Sequence, residues 1–247
     1  MKTLIALVAL TLAAAAHAQV ITIDQAKAQA GNVTPGDAPG FPVTLSQPGS
    51  YRLSGNLTVA DPGVHAISIT ADHVTLDLGG FTIAGPGTCS DHLPITCTPS
   101  GLNTVGIDAW NQRMTTIRSG SIRGFGTGVR AGYIADVRGL MVREMNQYGI
   151  VASVNSSIVD NNVWKARNTG IVTGGLTRHN VVYLAGAGIS AYGMVEGNRV
   201  LFATAGIVLS GSGGSVGASG NTLSSVSTPL VNVTQLAPNL CNANVCP

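Results

Sequence analysis

From Gly149 the chain reads GIVASVNSSIVDNNVWKARNT, from Gly170 GIVTGGLTRHNVVYLAGA, and from Gly188 GISAYGMVEGNRVLFATA, with a further Gly-Ile at Gly206. These are copies of one unit. The same opening occurs earlier as Gly106-Ile107 and Gly128-Val129, so the aliphatic after the glycine falls at Ile107, Val129, Ile150, Ile171, Ile189 and Ile207, in steps of 22, 21, 21, 18 and 18 residues. A near-fixed period of this size marks a solenoid, whose unit buries its apolar face only by stacking on its neighbours. At roughly 3.3 Å of rise per residue, such a unit is three short strands and their corners, too short for a helical pair with its turns.

A second column sets the register within each unit. Gly120, Leu140, Asn161, Asn180, Asn198 and Asn221 follow, by three residues, Ile117, Val137, Ile158, Thr177, Val195 and Ala218, and precede, by two, Ile122, Val142, Val163, Val182, Val200 and Leu223. A Gly or Asn between two inward positions suits a corner in the left-handed backbone region, which these residues enter cheaply. Stacked asparagines can also hydrogen-bond along the column. Gly79, between Leu76 and Phe81, is read as the corner of the first full coil, and Leu140 is the misfit of the series.

The Asn corner column, the aliphatic columns and the phrase ISITADHVTLDLGGFTI (67–83) resemble the right-handed parallel β-helix proteins, the pectin-lyase-like superfamily, and among them its small secreted, NosD-like members. The resemblance spans roughly residues 50–235. It implies an all-β, single-domain right-handed parallel β-helix (a β-solenoid) of about seven coils. It does not select an activity, because this superfold carries lyases, hydrolases, epimerases and adhesive proteins.

The first eighteen residues, MKTLIALVALTLAAAAHA, join one cation to an apolar run and a small-x-small ending at Ala16 and Ala18. That pattern is a secretory signal peptide, and it places the mature chain, 19–247, in the periplasm or outside the cell. No other stretch is apolar and long enough to be a transmembrane segment. Cys89, Cys97, Cys241 and Cys246 then read as two disulfides of an exported protein, with Cys89 to Cys97 and Cys241 to Cys246 favoured among three connectivities because each closes a short loop without strand pattern. Only 10% of residues are charged and the formal net charge is +2, so electrostatic capture of nucleic acid is not expected.

TIDQAKAQAG (22–31) reads as a short N-terminal capping helix, with Thr22 as its cap, Gly31 as its stop and Ile21, Ile23, Ala26 and Ala30 as its apolar face. FPVTLSQPGSYRLSGNLTV gives two strands around a turn at Pro48 and Gly49. Residues 85–105 lack periodicity and read as an inserted loop projecting from the stack, a common place for binding function. GSGGSVGASG (211–220) reads as a second excursion. A last strand starts at Pro229, and 236–247 form a C-terminal cap.

Enzymes of this superfold use carboxylate clusters, calcium-binding acids or a basic Arg or Lys, and this chain lacks the Asn-Thr-Asp, Asp-Asp, Gly-His-Gly and Arg-x-Lys sets that galacturonases carry. The coil acids are Asp77, Asp108, Asp136, Glu144, Asp160 and Glu196, and no adjacent column pairs two of them, as acid and base work would require. Outward columns instead pair opposite charges: Arg118 beside Asp77, Arg178 beside Glu196, Lys165 beside Glu144. These read as surface ion pairs; as a lyase site they would make Asp77 or Glu144 the uronate-placing acid and Arg118 or Arg138 the base. Three residues after the corner the outward column runs Arg123, Arg143, Trp164, Tyr183, Leu201. Two aromatics beside two arginines compose a sugar-stacking platform. The expected function is a secreted, non-catalytic scaffold binding a polysaccharide or cell-surface glycan through Trp164, Tyr183, Arg143 and Arg123. The alternatives are a polysaccharide lyase or epimerase acting on uronic-acid polymers, and a structural or adhesin-like surface protein. His65, His73, His92 and His179 share no ligand spacing, and neither metal nor cofactor is expected.

Overall fold

The aliphatic columns stack in register. In the first sheet Val43, Ile67, Ile107, Val129, Ile150, Ile171, Ile189, Ile207 and Leu230 are successive partners in parallel pairs. The second sheet stacks Tyr51, Leu76, Ile117, Val137, Ile158, Thr177, Val195 and Ala218. The third stacks Leu57, Ile83, Ile122, Val142, Val163, Val182, Val200, Leu223 and Cys241. The computed structural model describes residues 19–99, 101, 103–210 and 217–246, and these form a parallel β-helix of about nine turns, 60% strand and 3% helix. The expected signal segment and residues 211–216 lie outside the described residues.

The count rises from the expected seven turns because both end turns are built from short strands. Val43–Leu45, Gly49–Leu53 and Leu57–Thr58 make one complete turn. At the far end Cys241 occupies the third-sheet column while bonded to Cys246. The second half of 211–220 is also strand, Gly217–Ser219, paired with Met194–Glu196. The strand expected from Pro229 starts earlier, running Thr222–Val231; beyond it come an isolated bridge from Ala218 to Gln235 and two short strands, Leu240–Cys241 and Asn244–Val245. In the first full coil Ile83, not Phe81, is the partner of Ile122, because this turn carries extra residues at its corner.

In the first full coil the expected corner, Gly79, is left-handed with φ 59°, whereas at the six later corners the left-handed residue stands one place before the expected column: Ser119, Gly139, Asp160, His179, Gly197 and Gly220, with φ from 56° to 63°. The asparagine that follows bridges the turn with its side chain. Asn161, Asn180 and Asn198 each donate Nδ2 to the carbonyl two residues back, at 3.0 Å, and so tie down the bend. Oδ1 of Asn180, Asn198, Asn221 and Asn239 each accepts the backbone N–H and the side-chain Nδ2 of the asparagine one rung earlier, a chain that starts from Asn161. Leu140 is less a misfit than the ladder's start, since its N–H donates to Asn161 Oδ1 at 3.0 Å.

The ends are closed by side chains that imitate a missing strand. The helix, Gln25–Ala30, is capped by Asp24, which accepts from Lys27 N at 2.8 Å, rather than by Thr22. Thr22 belongs instead to a strand, Ile21–Ile23, paired with Tyr51–Leu53; of the apolar face expected, Ile23 is buried and Ile21 packs against the core, whereas Ala26 and Ala30 are exposed and Ala28 is buried in their stead. Gly31 stops the helix with φ 73°. Gln25 grips both backbone groups of Thr58: Nε2 donates to its carbonyl at 3.2 Å and Oε1 accepts its N–H at 2.8 Å. At the other end Asn242 does the same to Val226. The backbone groups of Thr58 and Val226, which would otherwise be open to another strand, are thereby occupied.

Tyr51 is fully buried, its hydroxyl donating to the Gln47 carbonyl at 2.7 Å, and burial raises its pKa above the ordinary tyrosine value. Its raised folded pKa means that stability is intact below about pH 10, the unfolded value, and falls as pH rises through the folded one. Spectroscopic titration in alkali is expected to show a late tyrosine that ionises together with unfolding. Removal of that late phase by Tyr51→Phe would confirm the assignment; its persistence would refute it.

Candidate functional site: an aromatic strip on the third sheet

The expected outward column forms along the third sheet. Arg123, Arg143, Trp164, Tyr183 and Leu201 are successive register partners. Trp164 and Tyr183 remain 37% and 38% exposed, so neither is sealed beneath a loop. Their rings meet edge-to-face with centroids 6.3 Å apart, and Tyr183 meets Phe202 in the same manner at 5.2 Å. Between the first two rings lies an open groove of about 350 Å³ lined by Met141, Asn162, Trp164, Val181 and Tyr183.

Phe202 escapes a reading based on the outward column because it stands one place later, on the second corner of each turn. That corner is Gly124, Glu144, Lys165, Leu184, Phe202 and Ser225, all with positive φ. The usable signal was the constant offset of four residues after the Asn column.

The same corner explains Lys165. Expected as the exposed partner of Glu144, it is only 7% exposed, because the inserted segment lies down against the solenoid instead of projecting. Thr88–Cys89 and Cys97–Thr98 form an antiparallel hairpin closed by the Cys89–Cys97 disulfide. Asn146 Nδ2 donates to the Pro99 carbonyl at 2.8 Å, anchoring the segment's far side. Lys165 Nζ reaches Asp91 at 2.6 Å and the Cys89 carbonyl at 3.3 Å, with Glu144 more distant at 4.0 Å.

Opposite charges pair along the other outward columns. Arg118 meets Asp77 at 3.3 Å, and Arg178 meets Glu196 at 2.8 Å. Arg138, a candidate base, contacts Asp136 on its own strand. Arg130 takes Asp108 through two guanidinium nitrogens, at 2.9 and 2.5 Å; this hydrogen bonding raises the Arg130 pKa against the opposing effect of burial. Asp160 lies 3.8 Å from His179. The six coil acids thus all sit beside a basic side chain. Arg123 and Arg143 differ: among the described residues neither is in an ion pair, and Arg143 Nε is buried without a hydrogen-bond partner.

His65 accepts from Val105 N at 2.8 Å and thus serves the backbone. Among the described residues no three His, Cys, Asp or Glu side chains cluster so as to hold a metal, and no helix is long and apolar enough to cross a membrane. A larger hollow of about 730 Å³ beside the N-terminal helix is lined by Gln25, Phe41, Asn56 and Val64, and its ionisable side chain, Asp61, accepts from Gly63 N. Comparison with protein-family models, curated proteins and solved structures returned no match.

Proposed function

We propose that this chain is an exported, non-catalytic β-helix scaffold of the pectin-lyase-like, NosD-like kind that binds glycans along the third sheet. The observation that carries this reading is the open pair Trp164 and Tyr183, set on adjacent rungs in line with two arginines that lack carboxylate partners. Apolar sugar faces lie on aromatic rings, and guanidinium groups bind hydroxyl and carboxylate oxygens. Four rungs at about 4.8 Å give a strip of roughly 14 Å, the length of three sugar units. Export is supported by the apolar N-terminal run and the two disulfides.

A glycan array on the mature protein tests the reading, beside an assay for unsaturated products on uronic-acid polymers. Binding without product is the expected result; product formation would establish a lyase, and no binding would leave a structural or adhesive protein. Each ring should contribute on the order of 1 kcal/mol. Trp164→Ala with Tyr183→Ala is therefore expected to weaken glycan binding at least about tenfold by titration, while the thermal midpoint changes little because outward residues support little core. Unchanged affinity in the folded double variant would remove the strip from the binding site.

A further inference from the structure

Lys165 is a buried cation that the glycan strip does not itself require. Its ammonium is covered by the inserted hairpin, and two of its polar partners, Asp91 Oδ1 and the Cys89 carbonyl, belong to that hairpin. Asp91 is itself 78% exposed in its side chain, so the pair is one-sided: the body of the hairpin, more than the aspartate, removes the lysine from water. A buried ammonium is stable only where its donors are satisfied. The third partner, Glu144, comes from the solenoid and is the most distant.

The same ammonium lies 4.8 Å from the centroid of the Trp164 ring. A cation held there is attracted by the ring's electron-rich face. Lys165 follows Trp164 in sequence and takes φ 61°, so the chain turns at this residue to bring its side chain beside the neighbouring ring. Trp164 is thus held by the cation and, edge-to-face, by Tyr183. Between its strands the hairpin is closed by Cys89–Cys97, and Cys97 Sγ lies 3.8 Å from the Met145 carbonyl, which fixes where Cys89 and Asp91 meet the lysine.

We infer that the disulfide-closed hairpin sets the geometry of the aromatic strip, and that Lys165 is the positioning residue through which it acts on Trp164. Loss of the hairpin's hold frees the ammonium to reach solvent, and the indole loses its fixed orientation. If the strip binds glycans, as proposed above, the hairpin sets its affinity by preorganising one of the two rings.

The test uses the fluorescence of Trp164 in the full chain carrying Trp110→Phe, which removes the other of the two tryptophans. Lys165→Met, Asp91→Asn and Cys89→Ser with Cys97→Ser are compared at equal fold content by far-ultraviolet circular dichroism. Lys165→Met and the double cysteine variant are expected to raise acrylamide quenching of Trp164 about twofold and to shift its emission. Asp91→Asn, which leaves the hairpin in place, should change both less, and Lys165→Arg should restore the emission. Unchanged emission and quenching in folded Lys165→Met would overturn the inference, as would a change in that variant without one in the cysteine variant. Should the cysteine variant fail to fold, Asp91→Ala with Lys165→Met decides by the same readout, no change overturning the inference. These outcomes need no ligand, so a strip that binds no glycan would refute the functional reading without touching this one. Where glycan binds, a three- to tenfold loss in Lys165→Met is expected.

Discussion

Asn180→Asp is expected to lower stability more than any other single-atom-scale change in the solenoid, and to do so more at pH 7 than at pH 4. Asn180 is fully buried, and its Nδ2 faces three acceptors: the carbonyls of Ile158 and Arg178, at 2.8 and 3.0 Å, and Asn198 Oδ1 at 3.0 Å. A carboxylate would turn an oxygen toward these oxygens with no donor between them. The group would hold its proton to a higher pH than an ordinary aspartate, so the folded form is favoured in acid and penalised as pH rises above about 4, the unfolded value. An uncompensated buried charge typically costs about 3–5 kcal/mol. Thermal melts at both pH values check this. Asn180→Ala instead orphans the Asn161 N–H and takes a donor from the Ile158 and Arg178 carbonyls, of which the second keeps the Asp160 N–H, at about 1–3 kcal/mol per group left unsatisfied and without the pH dependence. Equal midpoints for the Asp variant and the parent at pH 7 would mean that the ladder carries no energetic weight.

The second large effect concerns the glycine that opens each unit. Its reason is close approach, not backbone freedom: Gly128, Gly149, Gly170, Gly188 and Gly206 have ordinary φ. A Cβ at Gly170 would lie 2.4 Å from Val182 Cγ1 and 2.8 Å from the Gly188 carbonyl oxygen, inside the separation that real Cβ atoms keep. The valine can turn away, but the carbonyl belongs to the next rung's backbone. Gly170→Ala should therefore cost at least about 1–3 kcal/mol, the range for overpacked cores. Adding Val182→Ala relieves one clash and leaves the other, so the double variant should regain only part of the loss relative to Val182→Ala alone. Additive losses in the full cycle would show that the two residues do not press on each other. A native-like midpoint for Gly170→Ala would remove the close approach as the reason for the column.

The middle of the chain was legible because its inward positions repeat at steps the sequence states outright. The Ile107 to Ile207 series and the Asn column each mark one position per turn, and both pairs of cysteines joined as their short loops suggested. The ends were harder to see. Asn239 follows Asn221 by eighteen residues, the same step as from Asn180 to Asn198, yet its aliphatic follower is replaced by Cys241, which was read for its disulfide alone. Thr22 looked like a helix cap because its strand has only three residues, too few to show alternation. At the strip, Trp164 and Tyr183 could be placed by period. The same count sets Lys165 beside Glu144 and reaches Phe202, but not the direction of either side chain, which depends on a left-handed corner and, for the lysine, on a hairpin whose Cys89 stands 76 residues earlier and folds back over it.

The side chains that finish each end have a consequence for growth. From Val181 through Ala191 every register partner lies eighteen residues later, from Arg199 through Leu209, with no slip in between. One such segment is therefore interchangeable with the next, and Gln25 and Asn242 close the structure however many lie between them. Tandem duplication of 170–187 would lengthen the rod by one rung, about 4.8 Å, and repeat Tyr183 once more along the same line. The molecule is in this sense a ruler whose markings can be added singly, its length and the number of its outward rungs set by gene length rather than by a redesigned core.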